Sequence, residues 1–145
     1  MVEFAIVAPI LFLIIFGVIE FGWTFLQDLD VRHGAREGAR LAAVNYDPNT
    51  RGGTTASPST TQRDDIIQEL CNRMDKKSSI SVELTLPTGS RATGSKARVV
   101  VTKPDQQLTG FLGFALNNVT LRSQVDIRLE QDATWAVTTS PVACT

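Results

Sequence analysis

Residues 4–19 read FAIVAPILFLIIFGVI, without a charge and with almost no polar atom. Glu20 interrupts the run, and FGWTFL then carries it on to Leu26. A membrane-crossing helix needs roughly 20 largely apolar residues, and this stretch is close to that length. A secretory signal peptide has a shorter apolar core, basic residues ahead of it and a small-residue cleavage site behind it. No basic residue precedes this run, and the residues behind it continue as a helix. The segment is therefore expected to be retained in the mature protein.

From residue 27 the sequence is QDLDVRHGAREGARLAAV. Leu29, Val31, Ala35, Ala39, Ala42 and Ala43 give a weak apolar stripe at helical spacing. Arg32, Arg36 and Arg40 recur every four residues and line one face, with Glu37 and Asp126 as candidate acid partners. Gly34 and Gly38 share another face at small-xxx-small spacing. Each glycine costs a helix about 1 kcal/mol relative to alanine. Two explanations stand: tolerance on a solvated face, or close approach of another backbone to a surface without Cβ atoms. A continuous helix over residues 2–44 would be roughly 60 Å long at 1.5 Å per residue, about twice a bilayer core. Pro9 removes one backbone hydrogen bond within it and should bend or loosen it locally.

The pattern then changes. Residues 45–61, NYDPNTRGGTTASPSTT, read as an exposed polar loop. Residues 63–77 predict a second helix with Thr61 as N-cap. Asp64 and Asp65 fall in its first turn, Lys76 and Lys77 in its last, and Ile66, Ile67, Leu70 and Met74 on its buried face. Ile80, Val82, Leu84 and Leu86 alternate with polar residues, as in a half-buried strand. Residues 87–95 form a turn region, and residues 97–103 return as the second strand of a hairpin. Residues 108–116 are a short apolar helix or loop. Val119, Leu121, Val125, Ile127 and Leu129 mark a long third strand with one charged face. The tail from residue 131 has little periodicity, and Trp135 is expected to pack on the domain or at a subunit contact. These elements make an α+β protein: a long N-terminal helix packed on a small antiparallel sheet. The divisions are a hydrophobic helix over 1–26, its amphipathic continuation over 27–45, and a globular α+β domain over 46–145.

Composition narrows the functional classes. A net charge of -1 gives no basic bias toward nucleic acid. The two cysteines, Cys71 and Cys144, show no metal-ligand spacing. They are either two buried thiols or one disulfide pinning the tail, the latter in an oxidising compartment. His33 is the only histidine and reads as solvated or interfacial. No nucleophile elbow, phosphate loop or paired-carboxylate motif stands out, so no catalytic residue, cofactor or metal is expected. Asn118 opens an Asn-Val-Thr sequon of low weight.

Glu3 and Glu20 flank the apolar run. A carboxylate in hydrocarbon costs several kcal/mol unless paired or protonated. Each acid sits near an interface, or finds a positive partner on a neighbouring subunit: a terminal ammonium for Glu3, an arginine for Glu20.

VEFAIVAPILFLIIFGVIEFGWTF followed by VRHGAREGARLAAV resembles the TadE-like pilin family of tight-adherence (Flp-type) pili. The stretch VTKPDQQLTGFLGFALNNVTLRSQVDIRLE also resembles that family's C-terminal half. The likeness covers most of the chain, least so over residues 47–61 and the final tail. It implies a prepilin from which a membrane peptidase removes a short basic leader after a glycine, leaving Glu at the fifth position. Here the Glu is third. It implies no enzymatic activity, and partners that are copies of the chain in a helical filament, the membrane before assembly, the pilus assembly machinery and the prepilin peptidase. The expected location is the bacterial inner membrane, then a cell-surface pilus. Glu3, Pro9, Glu20, Gly34 and Gly38 are the expected assembly residues. A structural filament subunit and a membrane-tethered minor pseudopilin or adhesin both fit.

Overall fold

The computed structural model describes residues 2–50, 52–75, 79–110 and 119–144, without the side chains of Val2, Glu3 and Ala5. Helix α1 (Val2–Ala43) is 42 residues long. It ends where Asn45 takes a left-handed backbone, φ 55°. Asparagine tolerates that region better than most residues and commonly closes helices. The Asn45 side chain then ties three elements together. Its Oδ1 accepts from the Thr134 amide at 3.0 Å and from Nε2 of the buried Gln62 at 3.1 Å.

Helix α2 (Thr60–Asn72) begins earlier than the pattern suggested. Ser59, not Thr61, is the N-cap, and its hydroxyl accepts from the Gln62 amide at 3.2 Å. Asp64 and Asp65 are thus beyond the first turn. The helix also ends short of the expected residue 77, since Arg73 closes it with amide bonds back to Leu70 and Cys71. Lys76 and Lys77 lie outside the described residues. Ile66, Ile67, Leu70 and Met74 are buried, as their spacing requires.

Strands β1 (Ser81–Thr85), β2 (Lys96–Pro104), β3 (Thr120–Arg128) and β4 (Val142–Ala143) form one sheet in the order β3-β2-β1-β4. All its pairs are antiparallel, with Leu84 opposite Val99 and Val99 opposite Val125. The β1–β2 turn uses Gly89 at φ 68°, donating to the Leu86 carbonyl. Val82, Leu84, Ala97, Val99 and Val101 point into the core, where Val31, Ala35, Ala39 and Ala42 of α1 meet them. The alanines let the helix lie close to the sheet, which burial of apolar area then stabilises. Trp135 is fully buried in the same core, and its indole donates to the Ala42 carbonyl at 3.2 Å. Of the region expected as an apolar helix or loop over residues 108–116, residues 111–116 lie outside the described set.

Candidate assembly interface

The two halves of α1 differ in what they touch. Below Glu20 the helix meets nothing among the described residues that would hide its apolar side chains: Phe4, Ile10, Phe12 and Val18 are all exposed. Its most apolar 18-residue window has a mean hydropathy of 2.3 and is only 6% buried. A core helix of a globular domain would be mostly covered, so this half is built for surroundings outside the single chain. By length and composition the helix can cross a membrane.

The junction between the halves is a polar clasp. Glu20, Trp23, Thr24 and Gln27 recur at i, i+3, i+4 and i+7, which places them on one face. That face grips residues 105–110, which follow β2. Glu20 is fully buried. Its Oε1 accepts from the Leu108 amide at 2.8 Å and its Oε2 from the Thr109 amide at 3.0 Å, with the Thr109 hydroxyl also donating to Oε2. The Trp23 indole donates to the Gln106 carbonyl at 2.7 Å. Gln27 donates to that same carbonyl at 2.8 Å and accepts from the Gln106 amide at 3.1 Å. Thr24 donates to Asp105 at 3.3 Å.

The arginine expected for Glu20 belongs to a neighbouring subunit, and these are the contacts the carboxylate makes within its own chain. Within the chain its carboxylate is answered by backbone amides and a hydroxyl. Ionised acceptors form stronger hydrogen bonds than neutral ones, which offsets the cost of taking the group out of water. The sequence carried a signal for this clasp: four hydrogen-bonding side chains on one stripe of an otherwise apolar run.

The other expected residues fall as follows. Glu3 lies in the first turn of α1, and its side chain is outside the described set. Helical backbone runs unbroken through Pro9. Of the bend or loosening expected at Pro9, the single chain shows no break in the helix, since proline deletes only one hydrogen bond and the neighbouring turns keep theirs. Gly38 faces Leu70 of α2, and Gly34 faces Met74, just past the end of that helix. A Cβ on Gly34 would lie 2.5 Å from Met74 Sδ; one on Gly38 would lie 2.1 Å from Leu70 Cδ1 and 3.3 Å from Val99 Cγ1. The two glycines therefore let α2 approach α1 within one protomer.

The arginine ladder is only partly matched to its expected acids. Arg40 binds Glu37, which also meets Arg73 of the α2 C-terminus. The Arg40 hydrogen bond, with the charges of Arg40, Arg73 and His33, holds the Glu37 carboxyl below the ordinary glutamate range. Arg32 pairs with Asp28 at 2.8 Å. Asp126 is taken by Arg98 across the β2–β3 pair at 2.7 Å, and so does not serve the ladder. His33 is exposed. Cys71 and Cys144 form a disulfide with Cα atoms 5.7 Å apart, joining α2 to the residue after β4.

A family model described as TadE-like protein matches residues 1–40, the apolar run, the clasp face and the whole arginine ladder. The match does not extend to the C-terminal half. No curated protein and no solved structure matches the chain.

Proposed function

We propose that the chain is a non-enzymatic, pilin-like structural subunit. Residues 4–26 of α1 hold it in a membrane, and the same residues then pack with copies of the chain in a surface filament. The observation that carries this reading is the uncovered lower half of α1 beneath a domain that satisfies itself. An apolar helix leaving lipid needs another dry environment, and equivalent helices of neighbouring copies provide one at little hydrophobic cost. The match of residues 1–40 to TadE-like proteins supports it. In this reading Glu3 enters the bundle against the terminal ammonium of a neighbour, since an unpaired buried charge is costly. Processing by a prepilin peptidase and handling by the pilus assembly machinery belong to the same proposal.

The test is to shear filaments from cells producing the chain, image them and identify their protein by mass spectrometry. The expected result is this chain as the repeating unit, and its loss from the filament fraction with Glu3→Leu while membrane insertion is kept. Filaments without the chain, or full piliation by Glu3→Leu, would overturn the reading. Recovery at far below one copy per repeat would assign it to the accessory pseudopilins or adhesins instead.

A further inference from the structure

Between α1 and the open edge of the sheet lies a groove of about 290 Å³ lined by Arg32, Arg36, Arg122, Ser123, Gln124 and Val125. Three arginines line it, all exposed. Only Arg32 has an acid partner, Asp28; among the described residues Arg36 and Arg122 have none. Asp126, the nearest acid along β3, is engaged by Arg98 on the other strand. Gathering like charges without counter-ions is unfavourable unless something anionic fills the space. β3 is an edge strand, so the groove is open to the side rather than closed by another strand.

The height of the groove says which anion. Residues 4–26 cover about 34 Å at 1.5 Å per residue, slightly more than the roughly 30 Å of a hydrocarbon core. Arg32 and Arg36 then stand about 9 and 15 Å beyond Leu26 along the helix. Phosphates lie several Å outside the hydrocarbon edge, and an arginine side chain reaches down by snorkelling. Two further observations set the domain at that level. Trp23 sits near the upper end of the apolar run with its indole hydrogen-bonded, the position tryptophan favours at membrane interfaces. Exposed Leu108 is held at the depth of Glu20, inside the run.

We infer that Arg32, Arg36 and Arg122 form a site for the phosphate of an anionic lipid headgroup in the extracytoplasmic leaflet. Arginine forks bind phosphate oxygens bidentately. Ser123 adds a neutral donor beside them, while the Gln124 side chain is hydrogen-bonded to Asp126. The site rests on the reading that α1 spans a membrane, and it requires no filament. Its role is to fix the rotation and depth of the subunit while it waits in the bilayer, since three contacts on one flank of a helix prevent it from turning freely. The charge is local, which is why the overall charge of -1 did not reveal it.

The test uses the full chain in nanodiscs of mixed phosphatidylglycerol and phosphatidylcholine, with lipids that stay bound through detergent extraction counted by native mass spectrometry. The wild type is expected to retain phosphatidylglycerol selectively. Arg36→Gln/Arg122→Gln should lose that selectivity by roughly tenfold or more, at about 1 kcal/mol per basic residue near a charged surface. Arg128→Gln, with a side chain bound to the Gly94 carbonyl, serves as the control and should change little. Circular dichroism and the intact disulfide check folding. Equal retention by wild type and double variant overturns the site. Displacement of the lipid by millimolar inorganic phosphate, with equal binding in its absence, makes it a free-phosphate site and overturns the lipid assignment. Self-association in pure phosphatidylcholine discs that the double variant abolishes would show a second copy as the occupant, which also overturns it. Failure of the wild type to enter discs at all would instead refute the membrane reading of α1.

Discussion

A missing methyl group decides how α1 and α2 meet. Gly38 lies beneath Leu70, a fully buried side chain with Val99 on its other flank. Gly34 lies beneath Met74, whose thioether end can swing aside. Alanine is the better helix former by about 1 kcal/mol, so propensity and packing oppose each other at both sites. At Gly38 packing should win. Gly38→Ala is expected to destabilise the full chain in detergent by about 1–3 kcal/mol, and Gly38→Leu by more, whereas Gly34→Ala should be close to neutral. Thermal melts followed by circular dichroism read the order directly. A higher melting temperature for Gly38→Ala would show that Leu70 rearranges freely. The spacing of these glycines was visible in the sequence and signalled close approach. What it could not say is that the approaching element is the chain's own α2. A small-residue stripe looks the same whether its partner is in the same protomer or in another.

At the scale of elements, the clasp joins residues 105–110 to α1 through side chains that sit 78 to 89 positions away in sequence. Glu20→Ala leaves the Leu108 and Thr109 amides without their acceptor, and an unmet buried donor costs about 1–3 kcal/mol. The expected outcome is local: amide exchange at residues 105–110 accelerates by tenfold or more at this energy, while β1 and β2 keep their protection. Exchange that rises across the whole sheet would mean the clasp holds the domain together instead of tethering one loop. Regular elements were legible because their signal is periodic: the alternation over 119–129 became β3, and the spacing of Ile66, Ile67 and Leu70 became the buried face of α2. Three features were not legible. β4 contains two residues, too few for any period to show. The N-cap lay at Ser59 because Ser59, Thr60 and Thr61 all carry hydroxyls and sequence cannot choose among them. Two of the three donors to Glu20 are backbone amides, which every residue but proline possesses, so little in the residue types advertised them.

For the molecule as a whole, the Cys71–Cys144 bridge closes a loop with a sequence separation of 73 residues. It holds a tail with no helix and one very short strand, and the Ile80 carbonyl accepts from the Cys144 amide at 2.9 Å beside it. Loss of the bond should lower stability by roughly 2–4 kcal/mol, as for loops of this size. Cys144→Ser in the full chain, compared with wild type by chemical denaturation in detergent, measures it. Unchanged stability would mean that Trp135, already locked in the core, anchors the tail without covalent help.

The same bridge fixes how far the protein can be stretched. The covalent path of a pull between the N-terminal helix and Thr145 runs through the sulfur–sulfur link and bypasses the residues between the two cysteines. At roughly 3.4 Å per extended residue, about 250 Å of chain is thereby withheld from elongation. That parcel contains all four strands. Under tension that parcel stays folded behind the covalent load line, and what resists the pull beside it is the packing of α1 on the sheet and the clasp.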